Sequence, residues 1–245
     1  MAKTVLITGG SRGIGRATAV LFASKGWNVA FSYFGNQKSA DETCAKCERA
    51  GYTGNVLARK CDVRDELSVI DLFTAARERF GSIEGVVNNA GIVAPQSSIA
   101  EMDVERMKTV FDTNILGAYL VAREAARTLH SGTAIVNVSS MAAKLGAPGE
   151  YIDYAGSKGA IDALTIGLAK ELGPMGIRVN AIRPGIIETD IHASGGHPDR
   201  AAELGPTCPL GRSGDPEEVA HSIFWLISPD ASYVTGSIMD VSGGR

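Results

Sequence analysis

The chain reads as an α/β protein built on one doubly wound parallel sheet with helices on both faces. Three observations carry this. Short apolar, β-branched runs alternate along the chain with amphipathic helical patterns, the arrangement of a parallel sheet covered on both sides. The first strand-like run, Val5-Leu6-Ile7, passes directly into a glycine-rich turn that opens a helix. No linker, low-complexity tract or internal repeat divides the 245 residues, so residues 1–245 read as a single domain, within the size range common for this class.

Bulk composition narrows the setting. A hydrophobic content of 44% with 21% charged residues is ordinary for a globular chain that buries a sizeable core. The net charge is −3 with acids and bases interspersed, which leaves no basic footprint for nucleic acid and no polybasic arm for a membrane. No apolar run approaches the length of a membrane-spanning helix. Met1-Ala2-Lys3 leads straight into strand-like Thr4–Thr8 rather than into a signal peptide, so a soluble, cytoplasmic protein is expected. Cys44, Cys47, Cys61 and Cys208 are too few and too scattered for a disulfide scaffold. Cys44 and Cys47 have redox-motif spacing but fall inside a polar helical pattern. His130, His192, His197 and His221 share no ligand spacing, so no metal is expected.

Each element follows in order. After Val5–Ile7, the turn Gly9-Gly10-Ser11-Arg12-Gly13-Ile14-Gly15 precedes apolar Ala17, Val20 and Leu21 at helical spacing. Strand, glycine turn and helix together let backbone approach a pyrophosphate and aim helix N-terminal amides at it. A P-loop would need Lys and Ser/Thr where Arg16-Ala17 stand. A hydrolase nucleophile elbow around Ser11 would sit on the first strand, with no upstream loop to supply an oxyanion hole. The second strand, Asn28–Tyr33, ends in Ser32-Tyr33-Phe34-Gly35-Asn36. The acid that binds the ribose 2′-hydroxyl of NAD is missing there, while Arg12 could pair with a 2′-phosphate. NADP is therefore the expected cofactor and NAD the alternative.

A helical stretch over 38–50 is followed by strand-like 55–58 and then by Cys61-Asp62-Val63. Asp62 suits either of two tasks, accepting the adenine amino group or capping the next helix near Asp65. That helix, through Leu67, Ile70 and Phe73, leads to the strand Gly85-Val86-Val87 and to Asn88-Asn89-Ala90-Gly91, small and amide residues at a strand's carboxyl end where a ligand crevice lies. Residues 101–129 read as one long helix or two abutting ones. Asn114, among apolar neighbours there, asks for a hydrogen-bond partner, structural or catalytic. Strand 134–138 delivers Ser139-Ser140.

The helix that follows carries Tyr154, Lys158, Ile161, Leu164, Leu168 and Leu172 at steps of three or four and stops at Gly173-Pro174. A spacing of four puts the Tyr154 phenol and Lys158 ammonium on one face, roughly 5–6 Å apart at Cβ. A cation that close favours the phenolate. Strand 178–182 leads to Pro184-Gly185-Ile186-Ile187-Glu188-Thr189. Residues 190–213 lack periodicity, as a substrate lid or mobile loop does. A helix starting at Pro216 after Asp215 and a closing strand over 237–241 complete the chain.

In this order and spacing, Thr8–Gly15, Asp62-Val63, Asn88–Gly91, Asn114, Ser139-Ser140, Tyr154 with Lys158, and Pro184-Gly185 with Thr189 resemble the short-chain dehydrogenase/reductase family over essentially the whole chain. The resemblance implies a Rossmann fold and an NADP(H)-preferring oxidoreductase that interconverts a carbonyl and a secondary alcohol by hydride transfer. It makes Tyr154 the proton donor or acceptor. Lys158 would lower its pKa and bind the nicotinamide ribose, Ser140 would hold the substrate oxygen, and Asn114 would hold a water linking Lys158 to solvent. Gly9, Ser11, Arg12, Ile14, Tyr33, Asp62, Val63, Asn89, Ala90 and Gly91 would line the cofactor, with Pro184, Gly185, Ile187 and Thr189 at its nicotinamide end. A homotetramer is implied by resemblance alone.

One departure stands out. Ser140 to Tyr154 spans fourteen positions where the family usually has thirteen, so the loop 141–153 carries an extra residue. The resemblance allows 3-oxoacyl thioesters, sugars, steroids and small ketones as substrates. An acyl-carrier-protein partner would want a basic patch, which Leu172-Gly173-Pro174-Met175-Gly176 does not supply. A dinucleotide-binding sensor without turnover is the alternative function, and the retained Tyr/Lys pair speaks against it.

Overall fold

A computed structural model describes residues 2–50 and 55–245, so Met1, where the reading of the N-terminus begins, lies outside the described residues. The chain runs β1 (Thr4–Ile7), α1 (Gly13–Ser24), β2 (Asn28–Tyr33), α2 (Gln37–Ala50), β3 (Val56–Lys60), α3 (Glu66–Phe80) and β4 (Gly85–Asn88). There follow α4 (Val104–Phe111), a π turn (Asp112–Leu116), α5 (Gly117–Thr128), β5 (Ala134–Val138), α6 (Ala142–Leu145), α7 (Ile152–Leu172) and β6 (Arg178–Pro184). The last part comprises α8 (Ile191–Ser194), α9 (Arg200–Leu204), α10 (Pro216–Ile227) and β7 (Ile238–Val241).

The strands form one seven-stranded sheet in the order β3-β2-β1-β4-β5-β6-β7, with every pairing parallel. The period of two in each strand divides the core. Val5 and Ile7 of β1 pack with Phe22 of α1 and with Ile223 and Leu226 of α10. Leu6, between them, packs on the opposite face with Leu72 and Phe73 of α3, Val121 of α5 and Leu172 of α7. The doubly wound sheet is thus the one its alternating sequence predicts. Strand order reverses between β1 and β4, and a crevice opens outside their carboxyl ends, where ligands bind in open parallel sheets.

Four local details differ from the sequence reading or complete it. The run expected over 101–129 begins at Val104, because Asp103 takes the N-cap and accepts from the Arg106 amide at 2.7 Å. It is neither one regular helix nor two abutting ones. At 112–116 it takes in an extra residue, and the Gly117 amide bonds to the Asp112 carbonyl five residues back. Leu67 is 73% exposed, and the inward face of α3 is instead Val69, Leu72, Phe73 and Ala76. The aperiodic stretch 190–213 contains the short helices α8 and α9, too brief to show a period in sequence. The start of α10 at Pro216 matches the expectation, with the Asp215 amide donating to the Glu218 carboxylate at 2.9 Å.

Candidate active site

The turn after β1 is shaped by its glycines. Gly9 and Gly13 have φ of +68° and +51°, the left-handed region that favours glycine. A Cβ on Gly15 would sit 2.2 Å from the Gly9 carbonyl oxygen. The turn is stitched to the end of β4 at the switch point. The Asn89 and Ala90 amides donate to the Thr8 hydroxyl at 3.0 Å each, and Asn89 Nδ2 donates to the Thr8 and Gly9 carbonyls at 2.9 and 3.1 Å. The first amides of α1 have no side-chain cap, and its first turn holds no acid. A pinched glycine cradle facing uncapped helix amides fits the pyrophosphate of a dinucleotide.

A cleft of about 590 Å³ extends from this cradle and brings together Gly9, Ser11, Arg12, Ile14, Tyr33, Asp62, Val63, Asn89, Ala90, Gly91 and Thr189. Its far end holds no free carboxylate from the tip of β2. The Tyr33 hydroxyl bonds to Gln37, and Arg12 is exposed, donating to the Ser194 hydroxyl of α8 at 3.3 Å. Asp62 lines the cleft but does not cap α3. That task falls to Asp65, which accepts from the Leu67 and Ser68 amides. The Asp62 carboxylate is instead gripped by Arg64, with Nη2 at 2.6 Å and Nε at 2.9 and 3.1 Å. Arg64 holds its carboxyl below the usual range and also lies 5.5 Å from the Phe34 ring centroid.

A second cavity, of about 370 Å³, is lined by Ser140, Tyr154, Lys158, Pro184, Gly185, Ile187 and Thr189 together with apolar groups such as Val93, Met141, Leu145 and Ile186. It shares Ile14, Asn89, Gly91, Thr189 and Ile191 with the first, so the two form one crevice. The serines divide. Ser139 is buried and donates its hydroxyl to the Lys158 carbonyl at 3.1 Å, a tie between β5 and α7. Ser140 lines the cavity beside Tyr154 and favours its phenolate, while its hydroxyl accepts from the Ala142 amide at 3.1 Å. The loop 141–153, which carries the extra residue, takes positive φ at Gly146, Ala147 and Gly149, of +78°, +44° and +72°.

Lys158 is 5% exposed, donates from Nζ to the Val138 carbonyl at 2.8 Å, and lies 5.6 Å from the Tyr154 ring centroid. Burial pushes its ammonium down to about 8, against the charge of Asp162 one turn further on. Burial likewise pushes the Tyr154 phenol up, with the Ser140 hydrogen bond pulling the other way. Asn114 sits in the π turn. Its Oδ1 accepts from the Ile92 amide at 2.8 Å, while Nδ2 donates to the Ile92 carbonyl at 2.9 Å and to Ser157 Oγ at 3.1 Å. A Cβ on Gly91 would lie 3.3 Å from Asn114 Oδ1 and 3.4 Å from Lys158 Nζ, so glycine there keeps the space between them open.

Sequence reasoning missed part of the wall. Glu150, His192 and Arg200 also line the second cavity, as does Tyr151. His192 Nε2 is 2.8 Å from the Ile187 carbonyl oxygen, and burial lowers its pKa. Arg200 and His192 fall in the aperiodic stretch, which gave no signal that they line this cavity. Asp153, buried at the start of α7, is held by Arg106 of α4 at 2.8 Å.

Known proteins share this architecture. A family model described as enoyl-(acyl carrier protein) reductase matches residues 9–245. The uncharacterized oxidoreductase YgfF of Escherichia coli (strain K12) is 48% identical over 245 residues, covering 98% of each chain. Among solved structures, levodione reductase superposes with a TM-score of 0.93 at 32% identity, over 99% of this chain and 96% of that one. A 3-ketoacyl-(acyl-carrier-protein) reductase from Brucella melitensis, complexed with NADH, does so with a TM-score of 0.90 at 29% identity, over 99% and 98%. With the glycine cradle, the crevice at the switch point and the Ser140, Tyr154 and Lys158 cluster in place, the chain belongs to the short-chain dehydrogenase/reductase family, as an NAD(P)-dependent oxidoreductase.

Proposed function

We propose that the protein is an NADP(H)-preferring enzyme that interconverts a compact ketone and a secondary alcohol, with Tyr154 as proton donor and acceptor. The observation that carries this reading is the convergence of Tyr154, Ser140 and Lys158 on one cavity that runs on into the dinucleotide cleft. When bound, the nicotinamide supplies the hydride to the carbonyl carbon, or receives it in the reverse direction. The chain's own groups manage the oxygen. Ser140 orients it by hydrogen bonding, and Tyr154 passes it a proton as negative charge develops. Burial pushes the phenol's pKa up from its ordinary value, and a phenol protonated at neutral pH suits the donor role. Lys158, one turn away, stabilises the phenolate left behind and is assigned to the nicotinamide ribose. Asn114, locked to Ile92 beside Lys158, is assigned to the path along which the proton is replaced.

NADP preference is supported by the missing acid after β2 and by Arg12, exposed at the cleft with no carboxylate bonded to it among the described residues. Pro184, Gly185, Ile187 and Thr189 are assigned to the nicotinamide end, and residues 190–213 to a lid within one domain. The largely apolar lining of the second cavity favours a small ketone over a sugar, in keeping with the name of the levodione reductase it resembles. No helix among the described residues is long and apolar enough to cross a membrane, and we assign the enzyme to the cytoplasm. Exposed Phe111, Leu116 and Tyr119, together with Ile166 on α7, support a homo-oligomer, a tetramer by family resemblance, which light scattering would test. The mechanism is tested by Tyr154→Phe. Turnover of a ketone panel, followed by absorbance of the reduced nicotinamide, should fall about 10²–10⁴-fold with NADPH binding retained. Full turnover would rule the mechanism out.

A further inference from the structure

Three residues outside the Ser140, Tyr154 and Lys158 set line the catalytic cavity and contact one another there. Glu150 and Tyr151 come from the loop that carries the extra residue, and Arg200 opens α9. Arg200 grips Glu150 with two bonds, Nη1 to Oε1 at 3.1 Å and Nη2 to Oε2 at 2.6 Å, and its side chain is only 12% exposed. A planar fork on a carboxylate fixes direction as well as distance. The same guanidinium lies 5.3 Å from the Tyr151 ring centroid. At its other end the Tyr151 phenol approaches Gly195, where an added Cβ would come within 3.5 Å of the oxygen. Glu150 is anchored in turn, its carbonyl accepting from the Ser97 amide at 3.0 Å. The aromatic ring therefore lies between the Arg200 guanidinium and the backbone at Gly195. The ion pair that holds it is internally neutral, so this wall limits size rather than selecting charge.

We propose that Arg200 is a specificity-determining residue: by clamping Glu150 and stacking on Tyr151 it fixes the far wall of the substrate cavity and so limits the bulk of the ketone that reaches Tyr154. This rests on the reading of Tyr154 as the proton donor. Glu150 and Tyr151 directly follow the positive-φ positions Gly146, Ala147 and Gly149 of the loop 141–153.

The test compares kcat/KM for cyclohexanone with that for 4-phenylcyclohexanone, with NADPH saturating. The wild-type enzyme should favour the compact ketone. Arg200→Ala should move the ratio toward the bulky one by about tenfold or more, and Arg200→Lys, which keeps charge but loses the fork, by less. Because both ketones are assayed on one preparation, a general loss of stability lowers both rates and leaves the ratio unmoved. The charge-reversed pair Glu150→Arg with Arg200→Glu should return the ratio toward wild type from that of Glu150→Arg alone, which decides the matter even if Arg200→Ala folds poorly. An unmoved ratio in active single variants, or a double variant no better than Glu150→Arg, overturns the inference alone. A wild-type enzyme that reduces neither ketone, nor any other in the panel, overturns the Tyr154 reading and this inference with it.

Discussion

Replacing Lys158 with methionine should change how the protein's stability depends on pH, quite apart from what it does to turnover. The ammonium is 5% exposed, and burial brings it to about 8 from an ordinary 10.5. Between those values the unfolded chain holds a proton that the native protein lacks, so wild-type stability rises as pH increases through this window. Below about pH 8 both states are protonated, and the native state bears the full cost of the buried charge. From pH 8 to about pH 9.5 the wild type should gain about 2 kcal/mol, taking about 1.4 kcal/mol for each pKa unit crossed. Lys158→Met has no such proton and keeps every other titrating group, so the gap between the two stabilities should close, or tilt toward the wild type, by that amount over the interval. The variant also leaves the Val138 carbonyl without the donor it has at 2.8 Å, an offset that is the same at every pH. Urea unfolding of both proteins at pH 7 and at about pH 9.5 reads the difference directly. Stability curves that run parallel would refute the claim that Lys158 is held charged against its surroundings.

Three further outcomes follow from the same geometry. Gly15→Ala would put a Cβ 2.2 Å from the Gly9 oxygen and 2.7 Å from Asn89 Nδ2, so calorimetry should show NADPH binding weakened by tenfold or more, by about 1.4 kcal/mol at least. Arg12→Ala should lower the NADPH over NADH preference in kcat/KM by about tenfold, the worth of one charge-assisted contact, with little change for NADH. Arg106→Ala leaves the Asp153 carboxylate, whose side chain is 1% exposed, without its cation and with the Tyr154 amide as its remaining donor at 2.9 Å, and should cost about 3 kcal/mol in denaturant unfolding.

The chemistry of this fold lies close to the surface of its sequence wherever local rules suffice. The glycine turn is legible because Gly9 and Gly13 need positive φ and Gly15 has no room for a Cβ, constraints that operate within a few residues. The Tyr154 and Lys158 pair is legible because a helix repeats. What escaped is what the chain assembles from a distance. Of the two local roles Asp62 offered, capping α3 went to Asp65, and Arg64, two residues on, folds back onto the Asp62 carboxylate. Arg200 reaches Glu150 across fifty positions, through a segment whose helices are too short to show a period. The pKa balance at the site was also illegible, because burial is a property of the whole fold. The Tyr/Lys spacing specifies that the two groups are neighbours and says nothing of how much water surrounds them.

The π turn at 112–116 gives the run from α4 to α5 an angular phase. A helix advances about 100° per residue, so the one residue taken in there rotates every side chain of α4 by that angle relative to α5. The rotation is pinned at both ends: α4 presents Arg106 to Asp153, and Asn114 clasps both backbone groups of Ile92 as a neighbouring strand would. This segment therefore fixes its own length. Removing one residue would restore a plain helix and swing Arg106 roughly a quarter turn from its carboxylate, leaving the first turn of α7 without that anchor.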